Sequence, residues 1–177
     1  MEQDRALSLV NALVRDVPDF PMAGVVFKDI TPVLGDAAAF AAAVQWLTGA
    51  FDAPVDKVVA IEARGFILGA PVAYALGAGL VPVRKVGKLP SATVVEGYTL
   101  EYGEATLEMH ADALGPAERV LVIDDVIATG GTVAATAELV RRAGAVVVGV
   151  AALLEIAALG GRRRLGHLDL RVMLPPC

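Results

Sequence analysis

The stretch Val120-Leu-Val-Ile-Asp-Asp-Val-Ile-Ala-Thr-Gly-Gly-Thr132 joins an apolar run, two adjacent carboxylates and a loop of small and hydroxyl-bearing residues. The apolar run reads as a buried strand, and the pattern from about Thr132 to Ala143 as a helix. Ala128, Thr129, Gly130, Gly131 and Thr132 then set backbone N–H groups and two hydroxyls at a helix N-terminus. Unpaired donors and the helix dipole there both favour an anion, and glycine lets it approach closely. Asp124 and Asp125 would repel a phosphate unless they accept hydrogen bonds from ribose hydroxyls or support a Mg²⁺ ion. Strand, twin acids and phosphate loop together predict a sugar phosphate ligand. Two other phosphate loops are absent. Gly87-Lys88 is followed by Leu89, and Gly77-Ala-Gly79 runs on to Pro82, so neither the Gly-x4-Gly-Lys-Ser/Thr nor the Gly-x-Gly-x-x-Gly pattern occurs.

The elements that must position this loop follow from periodicity. Val58–Ile61, Leu80–Val83, Val120–Ile123 and Val146–Ala151 are short apolar runs. Helical pattern separates them, most clearly up to Leu76 and from Thr132 to Ala143. Such alternation predicts an α/β fold: a central, mostly parallel sheet flanked by helices. Ligands of open α/β sheets bind at the carboxyl ends of the strands. The two richest tips are Glu62-Ala-Arg-Gly65 and Asp124 to Thr132. Upstream, residues 3–16 read as an amphipathic helix. Prolines break the chain twice between Val17 and Gly24, and Asp36 can cap a helix over 37–51. Residues 90–110 carry Thr93, Val94 and Val95 but no helical stripe, and read as a hairpin flap of the kind that often serves as a lid.

Composition narrows the class. The chain has 177 residues, Lys and Arg total 15 against 20 Asp and Glu, and the net charge is −5. That argues for one domain and against a nucleic-acid binder. Arg162-Arg163-Arg164, without interleaved aromatics, reads as a solvated helix face. Hydrophobic residues make up 56%, which excludes a disordered chain. The single cysteine, Cys177, excludes a disulfide framework and suggests a reducing compartment, so a cytoplasmic location is expected. Phe66 to Val83 lacks charge but holds Pro71, Pro82 and three glycines, so a buried helix, turn and strand fit it better than a membrane span. His110 and His167 are isolated and receive no role.

The string from Val120 to Thr132 resembles the phosphoribosyl-pyrophosphate signature of the type I phosphoribosyltransferases. Four further segments are similar to the adenine-using branch of that family: Asp19-Phe-Pro-Met-Ala-Gly-Val-Val-Phe-Lys-Asp-Ile-Thr-Pro32, Glu62-Ala-Arg-Gly-Phe66, Val83-Arg-Lys-Val-Gly-Lys-Leu-Pro90 and Leu100-Glu-Tyr-Gly103. The resemblance implies one domain over residues 1–177, with a base-binding hood at about 17–35 and a flap at about 88–110. It implies transfer from phosphoribosyl pyrophosphate to adenine, giving AMP and pyrophosphate, with Mg²⁺. Ala128 to Thr132 would hold the 5′-phosphate, and Asp124 and Asp125 the ribose hydroxyls and Mg²⁺, directly or through water. Arg64, Arg84, Lys85 and Lys88 would bind pyrophosphate. The arginine at position 84 resembles one that reaches a neighbouring subunit's site, so a homodimer is expected. Glu101 would be the catalytic acid/base, with Tyr102 sealing the flap. Val26, Phe27 and Lys28 match the base-binding segment, with Phe27 stacking on the purine and Ile156 closing its other face. Many relatives carry Arg where this chain has Lys28. Two competing readings are a purine-sensing regulator on the same fold, which usually carries an added DNA-binding segment, and a sibling transferase taking a 6-oxo purine. No nucleic-acid or membrane partner is expected.

Overall fold

Strands and helices alternate as the apolar runs require. The computed structural model describes residues 2–99 and 104–177, with only the backbone of residues 2, 3, 98, 99, 104 and 105. Glu101 and Tyr102 therefore lie outside the described residues. The chain divides into two compact units, Met1–Trp46 and Leu47–Cys177.

The first unit holds helix α1 (Glu2–Leu13), strands β1 (Arg15–Pro18) and β2 (Val26–Asp29), helix α2 (Thr31–Gly35) and most of helix α3 (Ala37–Thr48). The first helix is shorter than the spacing predicts. Pro18 cannot continue a helix and Val17 favours extended backbone, so Arg15–Pro18 pairs instead with β2 in an antiparallel ladder, Arg15 opposite Asp29 and Pro18 opposite Val26. Asp29 fastens this hairpin. It accepts hydrogen bonds from Arg15 Nη2 at 2.5 Å and from the Thr31 amide at 2.8 Å, at the start of α2. Asp36 caps α3 as expected, accepting from the Ala39 amide at 2.8 Å.

The second unit runs β3 (Lys57–Ile61), α4 (Arg64–Leu76), β4 (Gly79–Lys85), β5 (Thr93–Thr99), β6 (Glu104–His110), β7 (Arg119–Ile123), β8 (Val126–Ile127), α5 (Gly131–Arg142), β9 (Val146–Ala152), β10 (Leu154–Glu155), α6 (Gly161–Arg164) and β11 (Leu170–Val172). The main sheet has the order β11-β9-β7-β3-β4-β6-β5. From β11 to β4 every pairing is parallel, and β6 and β5 extend the sheet in antiparallel fashion. The predicted hairpin is thus no detached excursion: its β6 strand hydrogen-bonds to β4, and Arg142 of α5 pairs with Glu96 of β5 at 2.5 Å.

The order of strands locates the site. From β3 the chain crosses to β4 on one side, and from β7 it crosses to β9 on the other. Parallel crossovers are almost always right-handed, so α4 and α5 cover opposite faces. The reversal falls between β3 and β7, which are hydrogen-bonded neighbours. A crevice opens at the carboxyl ends of such strands. The core beneath it is aliphatic, built from Val59, Ile61, Val83, Val122, Leu139 and Val150 among others. Among the described residues no helix is long and apolar enough to cross a membrane.

Candidate active site

The two polar tips singled out in the sequence meet at this reversal. Gly65 enters α4 directly against the end of β7. A Cβ there would stand 3.0 Å from the Ile123 carbonyl oxygen and 3.3 Å from a carboxylate oxygen of Asp124, so glycine is what allows the two tips to touch. Arg64 opens α4 and ion-pairs with Asp125, which is almost fully buried. Asp124, also buried, accepts a hydrogen bond from the Asp125 amide at 2.9 Å. Burial first, and the neighbouring Asp125 charge second, hold the Asp124 carboxyl well above the ordinary carboxylate range, against the opposing pull of Arg64.

Beyond these acids, β8 leads into Ala128, Thr129 and Gly130, and α5 starts at Gly131. Gly130 caps the helix at φ +74°, a left-handed conformation that side-chain-bearing residues avoid. Residues Asp124, Ala128, Thr129, Gly130 and Thr132 help line a recess of about 50 Å³ at this helix start. The Thr129 hydroxyl turns inward to accept from the Gly131 amide at 3.4 Å. The recess therefore combines a helix N-terminus, hydroxyls and glycine backbone, as a phosphate requires.

A second chain segment braces the loop. β10 pairs in parallel with β8, Leu154 beside Val126 and Glu155 beside Ile127, and the Ile156 amide donates to the Ile127 carbonyl at 2.8 Å. Ile156 is thereby brought next to the phosphate loop. Gly161 packs so closely that a Cβ on it would lie 2.3 Å from the Ala128 carbonyl oxygen and 3.0 Å from the Gly130 nitrogen. The triple arginine is exposed on α6, as the solvated reading expects. Arg162, with its side chain 51% exposed, also donates to the buried Glu155 carboxylate at 2.7 and 2.9 Å and to the Leu170 carbonyl at 3.2 Å. A carboxylate so buried demands a charged partner, and Arg162 meets that demand.

The basic cluster stands one strand away. Arg84 and Lys85 end β4, and Lys88 lies in the following turn. Glu62, at the tip of β3, accepts from Arg84 Nε at 3.2 Å and from the Lys85 amide at 3.0 Å. The Arg84 guanidinium carbon also sits 6.0 Å from the Phe66 ring centre. Lys85 and Lys88 are exposed and form no ion pair among the described residues.

Val26, Phe27 and Lys28 all lie on β2 of the first unit. Phe27 meets Phe20 edge-on, with ring centres 5.2 Å apart, and Val26 is half exposed. The Lys28 ammonium pairs with Asp16 at 2.8 Å. The side chain that replaces the arginine of many relatives is thus directed to its own hairpin. The sequence assigned no role to Glu62, Glu108, Glu155 or Gly161. An acid set inside an apolar run, as in Leu107-Glu108-Met109 and Leu154-Glu155-Ile156, was the signal available for two of them.

A parallel sheet with reversed strand order, and a glycine-bearing helix start behind twin acids, define an α/β protein with a candidate anion site at its strand ends. The family model described as the phosphoribosyl transferase domain matches residues 29–171. The adenine phosphoribosyltransferase of Acidothermus cellulolyticus is 58% identical over 167 residues, covering 94% of each chain. The crystal structure of the adenine phosphoribosyltransferase from Rhodothermus marinus superposes with a TM-score of 0.94 at 52% identity, covering 98% of this chain and 99% of that one. That of Saccharomyces cerevisiae, complexed with adenine and an imino-altritol bisphosphate, gives a TM-score of 0.91 at 33% identity over 97% and 99% of the chains. The chain belongs to the phosphoribosyltransferases, and within them to the adenine phosphoribosyltransferases.

Proposed function

We propose that this chain salvages adenine by joining it to the phosphoribosyl group of phosphoribosyl pyrophosphate, releasing AMP and pyrophosphate. One bond forms from a purine nitrogen to ribose C1, the C1–O bond to pyrophosphate breaks, and the purine nitrogen gives up a proton. The observation that carries this reading is the meeting of Arg64, Asp124, Asp125 and the α5 N-terminal loop at one strand reversal. Each part matches one part of the substrate: the loop the 5′-phosphate, the acids the ribose hydroxyls, and Arg64, Arg84, Lys85 and Lys88 the pyrophosphate. Adenine bound to the yeast relative supports the choice of base. Val26 to Lys28 and Ile156 are the segments we assign to the purine. Glu101 is assigned the purine proton, with Tyr102 sealing the flap, on the family resemblance.

The site chemistry suits Mg²⁺. That ion takes one or two carboxylates and completes its shell with water and substrate phosphates, and Asp124 with Asp125 is such a pair. When bound it would neutralise charge on the pyrophosphate. Among the described residues no cluster of three or more acidic, histidine or cysteine ligands offers a protein-only cage. We also infer a homodimer. Ile67 and Tyr74 stand seven residues apart on one face of α4, with Tyr74 90% exposed, an apolar stripe suited to a second copy. The lone cysteine favours a reducing compartment, the cytoplasm.

Steady-state assays with adenine, hypoxanthine, guanine and xanthine, with and without Mg²⁺, test the reading. Adenine turnover that requires Mg²⁺ is expected, and preference for a 6-oxo purine overturns it. Glu101→Ala should lose turnover while phosphoribosyl pyrophosphate still binds.

A further inference from the structure

Glu108 is an acid in the wrong place for a solvated one. It lies on β6, only 3% exposed, between the buried residues Leu107 and Met109. Its partners are not cationic side chains. One carboxylate oxygen accepts from the Lys88 amide at 2.7 Å and from the Leu89 amide at 2.8 Å. The Gly87 amide and the Thr93 side chain also hydrogen-bond to the carboxylate, and together these donors outweigh burial and keep it ionised. The carboxylate thus gathers the turn that follows β4 around a single negative charge.

The same turn is pinned at its other end. Arg84 stands directly opposite Glu108 in the β4–β6 ladder, and its Nη1 donates to the Lys88 carbonyl at 3.2 Å. Glu62 holds the Arg84 guanidinium and the Lys85 amide. Two acids therefore grip residues 84–89 largely by backbone. The Lys85 and Lys88 side chains, which form no ion pair among the described residues, are left to present charge. An acid placed this close to cationic side chains would ordinarily weaken an anion site. Spending its lone pairs on N–H groups makes it a fastener for that site.

We propose that Glu108 is a positioning residue for pyrophosphate: it sets the Gly87–Leu89 turn so that Lys85 and Lys88 meet the pyrophosphate end of the substrate. Because β6 is also the returning strand of the flap hairpin, Glu108 ties the base of the flap to the turn that carries Lys88. The proposal rests on the phosphoribosyl transfer reading above.

The test compares wild type with Glu108→Gln and Glu108→Ala, reading KM for phosphoribosyl pyrophosphate, KM for adenine, inhibition by pyrophosphate, and the melting temperature. Gln keeps one acceptor oxygen for Lys88 and Leu89 but loses the charge. The expected result is a rise of about tenfold in KM for phosphoribosyl pyrophosphate and in the pyrophosphate inhibition constant for Ala, the size of one lost charge-assisted hydrogen bond. Gln should fall between Ala and wild type, and KM for adenine should stay within about twofold, far below that tenfold step. If Ala does not fold, Gln alone decides, by the same split between the two substrates. Unchanged pyrophosphate affinity, or equal rises for both substrates, overturns the proposal. Wild type run in parallel separates the two ideas: no adenine turnover by wild type defeats the transfer reading, whereas turnover with unshifted variants defeats only the role of Glu108.

Discussion

Arg64 and Asp125 are ion-paired across the strand reversal, although one is assigned to pyrophosphate and the other to ribose. Without substrate the buried Asp125 carboxylate is paired with a guanidinium whose side chain is one-third exposed. Substrate must then offer Arg64 phosphate oxygens and offer Asp125 hydroxyl donors, an exchange of partners with little net loss of hydrogen bonds.

Removing the arginine should expose that exchange. Arg64→Ala leaves Asp124 and Asp125 facing each other without a cation and deletes a fork suited to phosphate oxygens. A loss of about 2 kcal/mol, roughly thirtyfold in KM for phosphoribosyl pyrophosphate, is expected. Arg64→Lys should recover only part of it, since an ammonium cannot bind two oxygens in the planar fork geometry. Steady-state kinetics on both variants, with KM for adenine as the internal reference, check this. Full recovery by Lys would show that charge alone matters at this position.

Asp124 predicts a conflict between stability and function. Its folded carboxyl titrates well above its ordinary value of 3.8, so ionising it costs the folded state. That cost is absent below the ordinary value and grows as pH rises toward the folded one. Asp124→Asn removes it. The unliganded variant should melt above wild type at neutral pH, by about 1 kcal/mol, with the gap closing as pH is lowered toward 4. Its affinity for phosphoribosyl pyrophosphate should fall. Thermal melts across pH, paired with substrate binding, measure both. A variant that melts at or below wild type at neutral pH contradicts the burial argument.

Gly161 is itself assigned to no ligand, yet it packs against Ala128 and Gly130 and so limits the shape of the loop they form. Gly161→Ala would drive a methyl group to 2.3 Å from the Ala128 carbonyl oxygen, so backbone must shift. A stability loss of about 1–3 kcal/mol is expected from such overpacking. AMP binding should weaken as well, because the displaced atoms belong to the loop assigned to its phosphate. Calorimetric titration with AMP decides the point, and unchanged affinity would show that the loop absorbs the methyl elsewhere.

Legibility in the sequence followed chain distance. Val120 to Thr132 could be read because strand, acids, loop and helix start are consecutive, and local rules of burial, capping and glycine conformation act over that range. The parallel sheet followed from buried runs separated by helical pattern. The exposure of Arg162 could be read, but its partner Glu155 could not, because it is reached through a fold and not a spacing. Arg15 to Pro18 went to a strand for a similar reason: the pull comes from β2, across a turn, and outweighs the helical spacing before it. Glu62 and Glu108 act on backbone amides of another segment, and no motif records such a partnership.

The first unit offers its own titration. Asp29 has its pKa lowered from 3.8 to about 2, chiefly by the Arg15 hydrogen bond and then by the Thr31 amide. A depressed folded pKa contributes stability that is fully present above the unfolded value and is lost as pH falls through the folded one. Between pH 3.8 and about 2, then, protonation should loosen the β1–β2 hairpin from Arg15 and from the start of α2. The chain's single tryptophan, Trp46, lies at the end of this unit and reports on it. Acid titration of Trp46 fluorescence should give wild type a transition that steepens in this window. Asp29→Asn cannot gain stability on ionising, so it should begin to unfold at a higher pH and respond less steeply below 4. Coincident acid transitions for the two proteins would mean that Asp29 does not govern the acid response of this unit.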